Sequence, residues 1–441
     1  MAIIKPFRGW RYNTEKFPTI YDKLSPLFDV VSIQQIESLH QIPYNSIALS
    51  LPKSHENALW TLKEWKKNQI LVQEALPAIY PYSQKFSLKN GSEFYSRKGF
   101  IAMVKMNLTH EPPSILLHEQ TIPSLVQDRV ELLSKTLLNV SPTHGFYDDP
   151  TFEIENILQP FFKKPLFQYL DYQNVINKFN VVQQRNVIEK IQQFLKNQTI
   201  ILADGHHRLA SSQALRDRAI GQNPFLSSDH ILHYHMMYLT NIRGSDVKIL
   251  PTHRIYQSSF IQNTNEILEK LTKYFNVFQV QNYKQIAQEI EGSKYCYGLI
   301  NKHLCCILVL KPEFHNIHKV PLDLPDSVKK LDYTLMHYYL IDRVLGLPYA
   351  EQSNSKNLSY SKDLEVVYEV LADEKKFGII VNEVKVEEML NVCKSGALMP
   401  QKSTFFYPKV ITGFVFGSID ENENNSPADI SFQISEEKRT V

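Results

Sequence analysis

Five consecutive residues, Asp204-Gly205-His206-His207-Arg208, put an acid, a glycine, two imidazoles and a guanidinium into one stretch of chain. They lie between the apolar run Thr199 to Ala203, which reads as a short buried strand, and the segment His207 to Ala219. In that segment Leu209, Ala210, Ala214 and Leu215 share one helical face. A strand-loop-helix turn of this composition suits an anion. The first N–H groups of a helix have no partners within it and carry partial positive charge, so a phosphate is stabilised there, and an arginine adds bidentate contacts. Gly205 allows close backbone approach. Asp204 is placed to hold Mg²⁺ or to orient a histidine, and His206 and His207 to donate to phosphate oxygens or shuttle protons. Two other readings stay open. In one the turn is only a capped helix, with Asp204 as N-cap and both histidines on the surface. In the other the two histidines and Asp204 join His118 or His253 around a metal ion, although adjacent histidines rarely reach one ion together.

Three more clusters carry groups of the same kind. Leu116-Leu117-His118-Glu119-Gln120-Thr121, followed by Asp128-Arg129, sets a glutamate beside a histidine at the end of an apolar segment. Glu119 there suits a general base for a hydroxyl nucleophile; the bland alternative is an exposed polar turn. Ile249-Leu250-Pro251-Thr252-His253-Arg254 ends a strand in a rigid proline turn that presents three polar side chains. They would complete an anion pocket, or be a satisfied structural histidine and a surface arginine. In Met399 to Lys409, the run Lys402-Ser403-Thr404 is like a phosphate-binding set, but the G-x-x-x-x-G-K spacing of a P-loop is missing. Aromatic core packing with solvated lysines explains that block equally well. No G-x-G-x-x-G, G-x-S-x-G or H-E-x-x-H motif occurs, which removes the usual warrant for nicotinamide, α/β-hydrolase and zincin chemistry.

The elements that must position these groups read as α+β, with mixed sheets and flanking helices. Helical spacing covers Glu56 to Leu71, Ser124 to Leu138, Val187 to Leu195, Asn265 to Phe275, Tyr333 to Leu345 up to Gly346, and Val384 to Lys394. Strand patterns cover Ala78 to Phe86, Phe94 to Met106, His235 to Asn241, Val247 to Leu250, Val277-Phe278, Tyr295 to Ile300, Cys305 to Leu310, Phe377 to Val381 and Tyr407 to Phe416. Asn90-Gly91 between two alternating runs predicts a hairpin. The boundaries this suggests are an N-terminal α+β region over 1–150, a core over 151–260, a C-terminal α+β domain over 261–420, and a frayed polar tail over 421–441.

Composition narrows the class. With 48 Lys and Arg against 46 Asp and Glu over 441 residues, nothing general attracts nucleic acid or a membrane, so any anion site must be local. Cys296, Cys305, Cys306 and Cys393 form no C-x-x-C pair and suggest reduced thiols rather than a disulfide framework. The N-terminus has no long apolar leader, and no apolar run approaches the ~18 residues of a membrane span. A cytoplasmic protein is expected.

With these residues in hand, the chain resembles the family known as domain of unknown function 1015. The resemblance runs through Ile4-Lys5-Pro6-Phe7-Arg8-Gly9, Tyr44-Asn45, His118-Glu119, Gly145-Phe146-Tyr147-Asp148-Asp149, Ala203 to Arg208, Met236-Met237-Tyr238-Leu239, Leu250 to Arg254 and Met399 to Lys409. One departure stands at Phe28, where the family's Pro-Pro-Tyr-Asp-Val pattern has a tyrosine. The Asp-Gly-His-His-Arg element is in turn similar to the nucleotide-binding loop of the superfamily of ParB-type CTPases, sulfiredoxins and free-serine kinases. That resemblance implies a ParB/sulfiredoxin-like core and a nucleotide-dependent phosphotransferase acting on a small hydroxylated metabolite, free serine included. Glu119 and His206 with Asp204 would be catalytic, Asp204 would hold Mg²⁺, and His118 and Arg129 would meet the substrate. Gly205, His207, Arg208, Thr252, His253, Arg254, Lys402, Ser403 and Thr404 would cradle a nucleoside triphosphate or diphosphate. The implied partners are small molecules, with a homodimer allowed. A metal-dependent hydrolase using His118, His206, His207 and Asp204, and a ParB-like nucleotide-switched regulator, are the competing implications.

Overall fold

The computed structural model describes residues 1–88, 93–108, 111–260, 263–353, 355–400 and 402–424; the Asn90-Gly91 turn lies outside them. By its contacts the chain forms two compact units. One holds Met1–Leu116, Thr121–Val247 and the chain from Pro408 onward; the other holds Leu117–Gln120 and Lys248–Tyr407. The segments read along the sequence are contiguous, whereas these units interleave.

The first unit is built on a nine-stranded mixed sheet. Its strands are β1 (Ile4–Lys5), β2 (Tyr80–Ser87), β3 (Phe94–Lys105), β4 (Ile115–Leu116), β5 (Thr143–Tyr147), β6 (Phe167–Leu170), β7 (Ile176–Phe179), β8 (Ile200–Asp204) and β9 (Tyr234–Asn241). The order is β4-β8-β5-β9-β3-β2-β7-β6, with β1 added on β3. The pairs β4/β8 and β9/β5 are parallel, and the others are antiparallel. β2 and β3 pair antiparallel on either side of the expected turn. The strand before Gly205 and the helix after it are as the apolar spacing predicts, over Ile200–Asp204 and His206–Gln222.

Register decides which side chains meet. Asp204 lies opposite His144, His144 opposite Tyr238, Tyr238 opposite Ile101, Arg97 opposite Gln84, and Gln84 opposite Asn177. Since side chains alternate along a strand, Arg97 shares the face of Ile101, and all of these residues point to one side. This face is buried yet polar: Arg97, Gln84, His144 and Asn177 are each 2% exposed or less. A register shift between Leu202 and Asp204 turns the Asp204 side chain onto that face.

The expected strand from Tyr407 to Phe416 is not one. Only Phe405–Tyr407 is a strand, pairing with Lys248–Leu250 in the second unit. From Pro408 to Ile411 the chain instead crosses the polar sheet face and makes its hydrogen bonds with side chains, and beyond it the isolated bridges Thr412 to Ser25 and Phe416 to Trp10 pair backbone with backbone. The Pro408 carbonyl accepts from Arg97, the Lys409 carbonyl accepts from Gln84 Nε2 at 3.0 Å, and the Ile411 N–H donates to the Tyr82 hydroxyl at 3.4 Å. Pro408 has no N–H to give a ladder, and Gly413 at φ 113° bends the chain away from extended geometry. Phe414 then stacks on Phe179, with centroids 5.2 Å apart. The polar tail also begins ordered. Helix Glu421–Asn424 is held by Glu423, whose carboxylate accepts from Trp10 Nε1 at 2.9 Å and pairs with Lys66 at 2.5 Å.

The second unit carries a six-stranded antiparallel sheet. Its strands are β10 (His253–Gln257), β11 (Phe275–Gln279), β12 (Cys296–Asn301), β13 (Leu304–Leu310), β14 (Leu358–Ser361) and β15 (Lys376–Ile380), in the order β11-β13-β12-β15-β10-β14. The predicted helix from Tyr333 to Leu345 is α-helical only over Asp332–Met336 and then widens to a π-helix over His337–Val344. It ends at Gly346, as expected, at φ 84°. The four cysteines are free thiols.

Close packing of β3 on β9 sets the first prediction. A Cβ added at Gly99 would lie 2.1 Å from the Leu239 carbonyl oxygen, whereas one at Gly221, inside helix His206–Gln222, meets nothing within 4 Å. Gly99→Ala is expected to cost about 2 kcal/mol or more, and Gly221→Ala to stabilise by up to about 1 kcal/mol. Urea unfolding of both variants checks the contrast.

Candidate functional site

Gly205 adopts φ 94° and ψ 30°, a conformation open to glycine, and occupies the N-cap of the helix that begins at His206 with no side-chain cap. A Cβ there would come within 2.6 Å of Thr143 Cγ2 and 2.9 Å of Arg208 Nη2. Asp204 is therefore not the cap, and His206, 8% exposed, is not on the surface. The capped-helix reading fails on both points.

Asp204 instead lies between two cations. Its Oδ2 accepts from Arg208 Nη2 at 3.0 Å, one helical turn on, and its Oδ1 pairs with the Lys409 ammonium. Arg208 is itself fixed by Ser141 Oγ at 3.0 Å and the Pro142 carbonyl at 2.7 Å. Burial works against ionising Asp204, but the charges of Lys409 and Arg208 outweigh it and hold the carboxyl well below the ordinary range. His144 sits in the middle of this set. Burial keeps its ring neutral, Arg97 and Lys409 push the same way, and Asp204 opposes them. Its Nε2 lies 2.8 Å from Thr240 Oγ1, and its ring stacks on Tyr238 at 5.3 Å. Arg97, 1% exposed, spends Nη2 on Gln84 and the Pro408 carbonyl, and its Nε is buried without a hydrogen-bond partner. One carboxylate thus faces two cations, Arg208 and Lys409, and a third, Arg97, is buried on the same sheet face.

The other expected residues of this unit have more local duties. His207 Nε2 accepts from the Ile122 N–H at 2.9 Å, at the start of helix Pro123–Thr136. Arg129 chelates Asp128, donates to the Ser50 carbonyl at 2.7 Å and lies over the Phe28 ring at 4.7 Å. Arg208 approaches the same ring at 5.9 Å, so Phe28 meets guanidinium groups through its face.

The second unit holds the rest. His118 is fully buried, with Nε2 at 2.9 Å from Thr404 Oγ1. Glu119 bridges to Met399, and its Oε1 accepts the Lys402 N–H at 3.2 Å. Ser403 donates to the Pro400 carbonyl at 2.7 Å. The Ser403 and Thr404 hydroxyls are thus engaged inside the loop rather than presented by it. His253 Nδ1 accepts from the Val381 N–H at 3.2 Å, and burial, with Arg254 adding, pushes the ring down to about 4. Arg254 is fully buried, packed 4.2 Å from the Tyr333 centroid and hydrogen-bonded to the Thr252 carbonyl and to His337 Nε2.

The family model described as protein of unknown function DUF1015 matches residues 4–334, three quarters of the chain. The chain belongs to the DUF1015 family. The match takes in Asp204 to Arg208 and Leu250 to Arg254 but stops short of Met399 to Lys409, over which a resemblance was also read. No curated protein matches in sequence. Among solved structures the DUF1015 chain is similar to SbnI with a C-terminal truncation from Staphylococcus aureus (9% identity over 76% of this chain and 93% of that one, TM-score 0.38). It is also similar to a conserved hypothetical protein from Pyrococcus furiosus (12%, 70% and 94%, TM-score 0.35) and to a free serine kinase in complex with AMP (13%, 66% and 83%, TM-score 0.34). Superpositions this loose transfer no role to any residue.

Mg²⁺ at Asp204 does not fit the groups present. Mg²⁺ takes oxygen ligands in an octahedron, and both Asp204 oxygens already face cations that neutralise them. Among the described residues, no three His, Cys, Asp or Glu side chains gather as a metal-binding set. No helix among the described residues is long and apolar enough to cross a membrane.

Reading the sequence missed Arg97, His144, His337 and Lys409 as site residues. A charged residue in the middle of an alternating strand, as Arg97 is, was the one local signal available. Lys409 carried none.

Burial also makes the DUF1015 chain acid-sensitive. It pushes His235 and His337 down to about 3, His253 to about 4 and His144 well below its usual range. These rings stay neutral in the folded protein while the unfolded chain takes up protons below its ordinary histidine value of about 6.5. Stability is therefore full above that value and falls with pH below it, by about 1.4 kcal/mol per pH unit for each histidine. Urea midpoints at pH 7, 6 and 5 should decline, and His235→Gln should flatten the decline.

Proposed function

We propose that this DUF1015 chain binds the phosphates of a nucleoside triphosphate or diphosphate at the Asp204 cluster. It would pass a phosphoryl group to the hydroxyl of a small metabolite, free serine among the candidates. The observation that carries the reading is the gathering of two cations, Arg208 and Lys409, on the Asp204 carboxylate in the first unit. Cations collected at one point attract an anion, and a polyphosphate is the anion that meets several donors at once. The glycine-capped start of helix His206–Gln222 adds a partial positive charge beside them.

The chemistry needs little from the protein beyond placement and charge. The bond from the terminal phosphorus to its bridging oxygen breaks, a bond from phosphorus to the acceptor oxygen forms, and the acceptor proton passes to a base. Lys409 and Arg208 would hold the charge that grows on the phosphate oxygens, with Asp204 keeping both side chains in place. His206, at the first position of the helix, would be the base that receives the proton.

The test separates binding from turnover. ATP, ADP, CTP and GTP are titrated in a thermal-shift assay against the wild type and the charge-balanced pair Lys409→Met with Asp204→Asn. At least one nucleotide should raise the Tm of the wild type and lose most of that effect in the paired variant. His206→Gln should cut phosphoryl transfer about 10²–10⁴-fold. If no nucleotide shifts the wild type, the reading is wrong.

A further inference from the structure

We infer that the second unit carries a binding site for a small organic carboxylate, in the cavity beside Arg254. It goes beyond the nucleotide reading and does not depend on it. The cavity has a volume of about 210 Å³ and is lined by Gln120, His337, Tyr349, Gln352, Ser353 and Tyr360, among others. That is below the ~300–1,000 Å³ of pockets for drug-sized ligands, so it suits a compact metabolite.

Charge selects the ligand. Arg254 is 0% exposed and forms no ion pair among the described residues. Its Nε donates to His337 Nε2 at 3.2 Å, its Nη1 to the Thr252 carbonyl, and its Nη2 is buried with no acceptor. Glu119 reaches it only through its field, which also acts on Tyr360. A guanidinium so placed is costly without an anion. Two of its direct neighbours, His337 and Tyr360, form part of the cavity wall; the Tyr360 ring lies 5.3 Å from the guanidinium. Among the described residues, no carboxylate side chain lines the cavity.

Hydrogen bonding selects the same ligand. His337 Nε2 accepts from Arg254, so its proton sits on Nδ1 and is donated to Gln352 Oε1 at 2.5 Å. Gln352 Nε2 is spent on the carbonyls of His337 and Leu347. That wall is fixed, and a π-helical turn, a geometry that recurs at functional sites, is what seats it. The Tyr349 and Tyr360 hydroxyls, the Gln120 amide and the Ser353 hydroxyl make no hydrogen bond with the described residues. All can donate to carboxylate oxygens, and Leu324 and Met399 offer apolar contact to a carbon skeleton.

Calorimetric titration of the full chain without nucleotide tests this, using glycerate, malate and gluconate, each against its polyol counterpart glycerol, erythritol or sorbitol. At least one carboxylate should bind at millimolar concentration or below while the polyols stay silent. The double variant Tyr349→Phe with Tyr360→Phe, which keeps both rings over the core, should weaken that binding about tenfold. The Lys409→Met and Asp204→Asn pair should leave it unchanged. Silence from all three carboxylates, equal binding of the polyols, full affinity in the double phenylalanine variant, or loss of binding in the Lys409 pair would overturn the assignment.

Discussion

The pairing of Asp204 with Lys409 and Arg208 is the interaction on which the first unit turns. A carboxylate removed from water costs several kcal/mol unless its charge is met, and here each oxygen meets its own cation. The two partners come from opposite directions along the chain. Arg208 is local, four residues on, and reaches back because Gly205 turns the backbone through a left-handed conformation. Lys409 arrives 205 residues later. The one contact therefore ties the glycine turn, the strand bulge before it and the returning C-terminal chain into a single arrangement.

That returning chain covers a sheet face which is polar for reasons of register. Asp204, His144, Tyr238, Arg97, Gln84 and Asn177 fall on one side because strands alternate and the six strands concerned are successive neighbours. A buried polar face is tolerable only when its donors and acceptors are met. The carbonyls of Pro408 and Lys409 do part of this, taking hydrogen bonds from Arg97 and Gln84. Arg97 Nε remains unmet among the described residues.

The second unit shows the same physics with a different outcome. Arg254 is buried between aromatic rings and held by a neutral histidine and a carbonyl, with no carboxylate in contact. Against Arg208 and Lys409 the protein sets one carboxylate of its own; beside Arg254 it sets none at contact distance among the described residues. Both arginines lie within the stretch that defines DUF1015 membership, while Lys409 lies beyond it.

The sequence by itself determined the strand-loop-helix element at Asp204, because apolar spacing that changes period around a glycine is a local signal. It also determined the mixed α+β character, the places of several of the longer helices, and which short stretches hold chemistry-bearing groups. It could not reveal that Lys409 neutralises Asp204, since nothing near Lys409 points to a residue 205 positions away. Nor could it show that the Ser403 and Thr404 hydroxyls are already engaged, that Phe28 meets two arginines through its face, or that the helix at His337 widens. Those were decided by tertiary structure, for one physical reason: a buried charge or hydrogen-bonding group is defined by what surrounds it in space, and sheet register and chain return bring that surrounding from distant parts of the sequence.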